Sequence, residues 1–116
     1  MLIAVAAAGE RVHERFEDSD RLLLIETETG AVTAETLRGD GPALLLAAAA
    51  AESGVEADAC GMIEEDEVFE ALASIGVTRC FAAGFGAVEA ACAAEAGTLP
   101  LIVRPGELRG GSRPKR

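Results

Sequence analysis

Residues 1–8 form an unbroken apolar run closed by Gly9, the pattern of a strand buried on both faces. Two more extended stretches follow at 21–27 and 31–37, joined by Glu28-Thr29-Gly30, whose glycine can supply the turn of a hairpin. Beyond the breaker Gly39-Asp40-Gly41-Pro42, residues 43–52 are a strong helix former, with Pro42 suited to a first turn and Gly54 to a stop. Residues 57–62 read as a buried strand. Residues 64–75 place Val68, Leu72 and Ile75 on one helical face before Gly76, and 78–83 read as the next strand. Gly84-Phe85-Gly86 opens a last helix through Ala96, and 99–103 is a final extended piece.

The predicted order is three strands followed by alternating helix and strand, which implies right-handed parallel crossovers in the second half. The expected fold class is α/β: three layers around a mixed sheet of five strands, or six if 99–103 joins it. Residues 60–80 and 81–101 read as two copies of one strand-helix unit, with Gly76 and Gly97 in register. A chain of 116 residues can bury one real core but not two, so residues 1–103 are predicted to form one domain. After Pro105 the stretch GELRGGSRPKR lacks apolar periodicity, and residues 104–116 are predicted to be a basic, disordered tail.

Composition sharpens this picture. Half the residues are apolar, yet Trp and Tyr are absent and Phe occurs only four times, so the core must be packed from Ala, Leu, Val and Ile. The net charge of −10 hides an asymmetry: residues 1–103 hold 19 acids against five Arg, about −14, while the basic residues Arg104, Arg109, Arg113, Lys115 and Arg116 cluster at the end. Such a body has no basic face to offer, which argues against nucleic-acid binding. Three Cys, an odd number, and a start without a basic n-region point to a reduced, cytoplasmic protein. The longest apolar run, 43–51, has nine residues against the roughly 18–20 needed to cross a bilayer, so no membrane span is expected.

The opening LIAVAAAGERVHERF with LLLIETETG, and the later ESGVEADACGMIEEDEVFEALASIGVTRCFAAG, resemble the dinitrogenase iron-molybdenum cofactor biosynthesis domain family from Met1 to about Gly97. The resemblance implies a ribonuclease H-like fold and a non-catalytic role in binding or delivering iron-sulfur or molybdenum-iron-sulfur cluster precursors, with cofactor-assembly proteins as partners. Family members commonly carry His-Phe-Gly-Arg-Ala after the first strand. Here Phe16 keeps its place, Arg15 stands where that His would be, His13 lies two residues earlier, and Glu17-Asp18-Ser19 replace Gly-Arg-Ala. The family's Gly-rich turn is replaced by Cys60-Gly61-Met62-Ile63, running directly into Glu64-Glu65-Asp66-Glu67.

In open α/β sheets, ligands settle beyond the C-terminal strand ends where strand order reverses. That brings the 8–16 loop, with His13 and Arg15, toward Cys60 and Gly61. Imidazole plus thiolate suits iron-sulfur, copper or zinc chemistry, which makes His13 and Cys60 the candidate metal ligands and Arg15 and Gly61 their companions. Against this stand plainer roles: a solvated loop histidine and an inert buried thiol. Cys80 and Cys92 read as structural, the acids at 64–67 as carboxylates favoured by a helix N-terminus, and Gly84-Phe85-Gly86 as a strand-to-helix turn. Retention of His13 and Cys60 favours a cluster carrier. Loss of the family His and Gly-rich turn favours the alternative, a metal-free interaction or regulatory module. Two-metal hydrolysis needs carboxylates on the central strand, and residues 2–8 contain none. No Mg²⁺-dependent nuclease activity is therefore expected, and robust cleavage copurifying with the folded protein would refute that.

Overall fold

A computed structural model describes residues 1–110. Its strands are β1 (Leu2–Ala7), β2 (Arg21–Glu26), β3 (Ala31–Leu37), β4 (Ala57–Cys60), β5 (Thr78–Phe81), β6 (Leu101–Arg104) and β7 (Glu107–Arg109). The helices are α1 (Ala43–Glu52), α2 (Asp66–Ala73) and α3 (Ala87–Ala96). One seven-stranded sheet runs β3-β2-β1-β4-β5-β6-β7. It is mixed: β1, β4 and β5 are parallel neighbours, while β2, β3, β6 and β7 pair antiparallel.

The residue sizes on β1 explain how helices cover both faces. Ala4 and Ala6 share one buried cluster with Leu46 and Ala47 of α1 and with Val68 and Leu72 of α2. Ile3 and Val5 point the other way and meet Ala87, Ala90 and Ala91 of α3. Small strand residues thus face larger helical ones, and large strand residues face an alanine surface, the complementarity that close packing requires. Phe16, in a short 3-10 turn after β1, is the bulkiest fully buried side chain and belongs to the first cluster.

The expected α/β class with a mixed sheet matches, but the strand count does not: the described residues form seven strands rather than five or six. Residues 99–103 contribute β6, which extends to Arg104. β7 lies inside the stretch read as tail. Three residues carry no readable period, and the strand forms because Pro105-Gly106 turns back tightly, with Gly106 at a φ of +75° and its N–H donating to the Ile63 carbonyl at 2.8 Å. Residues 111–116, the rest of the predicted tail, lie outside the described residues. α2 starts two residues later than predicted. The backbone N–H groups of Glu64 and Glu65 both donate to Glu17 Oε2, at 3.0 Å each, so a carboxylate from the β1–β2 connection fixes the two residues that lead into this helix, near the favourable end of its dipole. On the outer edge, β3 carries a register shift opposite Leu24 and Ile25. No helix among the described residues is long and apolar enough to cross a membrane.

Of the three buried polar or charged residues among those described, Glu17, Ser19 and Asp58, only Asp58 lies in a strand. Asp58 of β4 is fully buried, and neither of its carboxylate oxygens has a hydrogen-bond partner. Burial pushes its pKa well above the usual carboxylate value; the Ala6 amide opposes this only in part, and no aligned hydrogen bond forms. Native Asp58 therefore keeps a proton that the unfolded chain has released. Stability is fullest below the unfolded-state pKa of about 4 and falls as pH rises toward the native value, by about 1.4 kcal/mol per pH unit for one proton. Asp58→Asn should flatten that slope and gain stability over wild type at neutral pH while gaining little near pH 4. Urea unfolding at several pH values measures it, and parallel slopes in the two proteins would clear Asp58 as the responsible group.

Candidate functional site

Beyond the C-terminal ends of β1, β4 and β5, three connections are laced together through their backbones. Met62 N–H donates to the Glu14 carbonyl and Phe16 N–H to the Met62 carbonyl, both at 2.8 Å. On the other side, Val12 N–H donates to the Phe85 carbonyl, Gly84 N–H to Val12 and Ala87 N–H to Glu10, each at 2.9 Å. The Arg11 guanidinium adds a bond to the Gly84 carbonyl at 2.9 Å. The β1 loop is thus threaded between the β4 and β5 loops and fills much of the crevice where a ligand was expected.

Gly61 makes this possible. A Cβ there would overlap the His13 carbonyl oxygen and lie 2.6 Å from the Glu14 carbonyl carbon and 2.7 Å from the Arg15 nitrogen. The glycine is required for close backbone approach.

Of the predicted site residues, the structure brings the backbones of His13, Arg15 and Gly61 together but sends the side chains to different environments. His13 stands at the rim, its side chain 42% exposed, and its Nδ1 accepts the Arg15 backbone N–H at 3.1 Å. The same Nδ1 lies 3.8 Å from Asp18 Oδ2. The Arg15 guanidinium is also exposed, with Nε 3.6 Å from Asp18 Oδ2. Cys60, by contrast, is fully buried among Phe16, Ile63 and Val68. Burial, then the fields of Asp58, Cys80 and Glu17, push its thiol pKa well above the ordinary value, so thiolate is disfavoured there. The pairing of His13 and Cys60 as metal ligands does not fit this arrangement: one faces solvent, the other the core. Among the described residues, no three His, Cys, Asp or Glu side chains converge as a metal site.

Cys80 is buried, its thiol pushed up to about 11, mainly by burial. Cys92 is exposed on α3, and all three cysteines are unbridged.

Sequence reading missed three features. Asp58 was hidden inside an apolar strand, where the single acid in Ala-Asp-Ala-Cys was the available signal. Glu17 was seen only as a departure from a family pattern, and nothing local connects it to a helix 47 residues away. The third is a groove of about 540 Å³ beside the rim, between the β2–β3 hairpin and the start of α3, with Leu23, Val32 and Val88 as its apolar part and Arg21 at its edge. The Arg21 charge there is already engaged by Asp20 and Glu35, both at 2.9 Å. The rim therefore exposes the His13 ring and the Arg15 guanidinium, the latter beside Asp18, chemistry suited to holding an anion loosely rather than to coordinating a bare metal ion.

No family model and no curated protein matches the chain. Two solved structures are similar to it. The apo form of the orange protein from Desulfovibrio gigas superposes with a TM-score of 0.71 at 22% identity, covering 91% of this chain and 96% of that one. A candidate dinitrogenase from Methanocaldococcus jannaschii gives 0.65 at 18% identity, covering 90% and 97%. At these identities the likeness establishes a shared fold, nearly end to end in all three chains.

Proposed function

We propose that this protein is a small non-catalytic binding module that carries an anionic metal-sulfur cofactor precursor as cargo at the strand-end rim. The observation that carries this reading is the fold held in common, over nine-tenths of the chain, with one protein described in its apo form and another described as a candidate dinitrogenase. The resemblance to the cofactor biosynthesis family and its ribonuclease H-like fold is in keeping with it. The cargo is a substrate to be released, so direct coordination is not required. The His13 ring and the Arg15 guanidinium would donate to the cargo's sulfur or oxygen atoms. Glu10, Glu14 and Asp18 nearby would repel an anion, so binding should be weak, as release demands. Proteins of cofactor assembly are the partners this role implies.

A second reading, a metal-free interaction or regulatory module of the same fold, is favoured by the commitment of Cys60 to the core. The two separate under anaerobic incubation with an iron-sulfur or molybdenum-sulfur donor. Wild type should develop a visible chromophore with matching metal content, and His13→Ala and Arg15→Ala should each lower it several-fold. Cys60→Ala, once shown to be folded, should load like wild type. Equal loading by all variants would remove the rim from consideration, and an empty wild type with both donors would leave the metal-free module.

A further inference from the structure

At the opposite end of the sheet from the rim, a groove of about 470 Å³ opens between the last turn of α3 and the starts of β1, β4 and β5. Its apolar floor includes Ile3, Ala57, Leu99 and Leu101, the first three buried and Leu101 partly exposed. Its lip carries Glu56 and Glu95, both exposed. Among the described residues, neither makes an ion pair.

The electrostatics here run against local rules. The carbonyl end of a helix favours cations, yet the last turn of α3 has no basic residue and contains Glu95. Gly97 closes the helix in the left-handed conformation, its N–H bonded back to the Ala94 carbonyl at 3.1 Å, so the dipole's negative end lies at the groove mouth. Of the cations near the groove among the described residues, Arg109 stands across from Leu101 on the exposed edge strand β7, and the Met1 amine is bound to Glu26 at 2.6 Å. It also reports the local field: its pKa is raised, first by the Glu26 hydrogen bond, and further by the charges of Glu26, Glu95 and Glu28. A groove that is apolar below and negative at the lip, with its carboxylates unmatched, is complementary to a side chain with an alkyl stem and a cationic head.

We propose that this groove docks an extended segment of a partner protein bearing lysine or arginine among apolar residues. The alkyl stem lies on Ile3, Leu99 and Leu101, and the cation reaches Glu56 and Glu95. The surface is distinct from the rim, so cargo and partner can be held together. Nucleic acid is excluded as the occupant by the same negative charge.

The experiment is a titration of the isotope-labelled protein with a short synthetic peptide holding two lysines among leucines and serines, followed by amide NMR. Shifts should concentrate at Ala57, Thr78, Leu99 and Leu101, and affinity should fall as salt is raised. Glu56→Gln with Glu95→Gln should weaken binding by about three- to thirtyfold, the range for two partly exposed ion pairs. Glu64→Gln with Glu67→Gln, at the start of α2, should leave it unchanged. The proposal fails if the groove amides do not move, if the two double variants lose affinity equally, or if a peptide with glutamines in place of the lysines binds as well. Spermidine binding there as tightly as the peptide would make this a small-amine site and overturn the protein-docking assignment. The same titration on a chain ending at Gly110 provides the last arm: peptide binding by the shortened chain alone would identify residues 111–116 as the occupant, against an external partner.

Discussion

Between the ends of β1 and β4 two stretches of backbone lie against each other with no side chain between them, Gly61 on one and the His13–Arg15 peptides on the other. The rest of the strand-end architecture follows from that contact. Because the chains approach so closely, Met62 can pair with Glu14 and Phe16. With Phe16 fixed, its ring drops into the core beneath α1 and α2, and the next residue, Glu17, is held where its carboxylate meets the start of α2. Arg38 completes the tie by donating to the carbonyls of Glu17, Ser19 and Gly41. A side chain at position 61 would force the whole series apart, in the manner of overpacking, which costs about 1–3 kcal/mol or more.

The same contact explains which parts of the molecule could be read from its sequence. β1, the β2–β3 hairpin, the three helices and the parallel β4 and β5 announce themselves through apolar runs, alternation and glycine stops, and their positions hold to within one or two residues. β7 could not be read, because three residues with a single apolar side chain, Leu108, have no period; tertiary pairing with β6 creates it. At the site, the expectation that the 8–16 loop approaches residues 60–61 agrees with the backbone. Side-chain direction was the illegible part. Cys60 ends a strand, and alternation assigns it to one sheet face or the other, both of them covered by helices; Ala57 and Ala59 belong to the α3 side, so Cys60 faces the other helical layer. Gly61 stood out for chemistry, while its role is steric.

Polar groups in this core carry costs that packing alone would not impose. Asp58 and Cys60 lie on the same face of β4, both fully buried and both driven toward their neutral forms. Next to Asp58 on β5, Arg79 could have paired with it. Instead its guanidinium is spent on the Val77 and Ile102 carbonyls and stacks 4.7 Å from the centroid of the Phe69 ring. A buried polar group without a hydrogen-bond partner costs stability, so Asp58 weighs against the fold that contains it.

The register shift in β3 and the brevity of β7 have a bearing on how these molecules behave when crowded together. An unprotected sheet margin is a template for another chain. One margin here is broken midway by its irregular pairing, and the other is only three residues long, flanked by the ionic Glu107 and Arg109. Among the described residues neither presents a long straight ladder, so edge-to-edge pairing between copies finds little regular template.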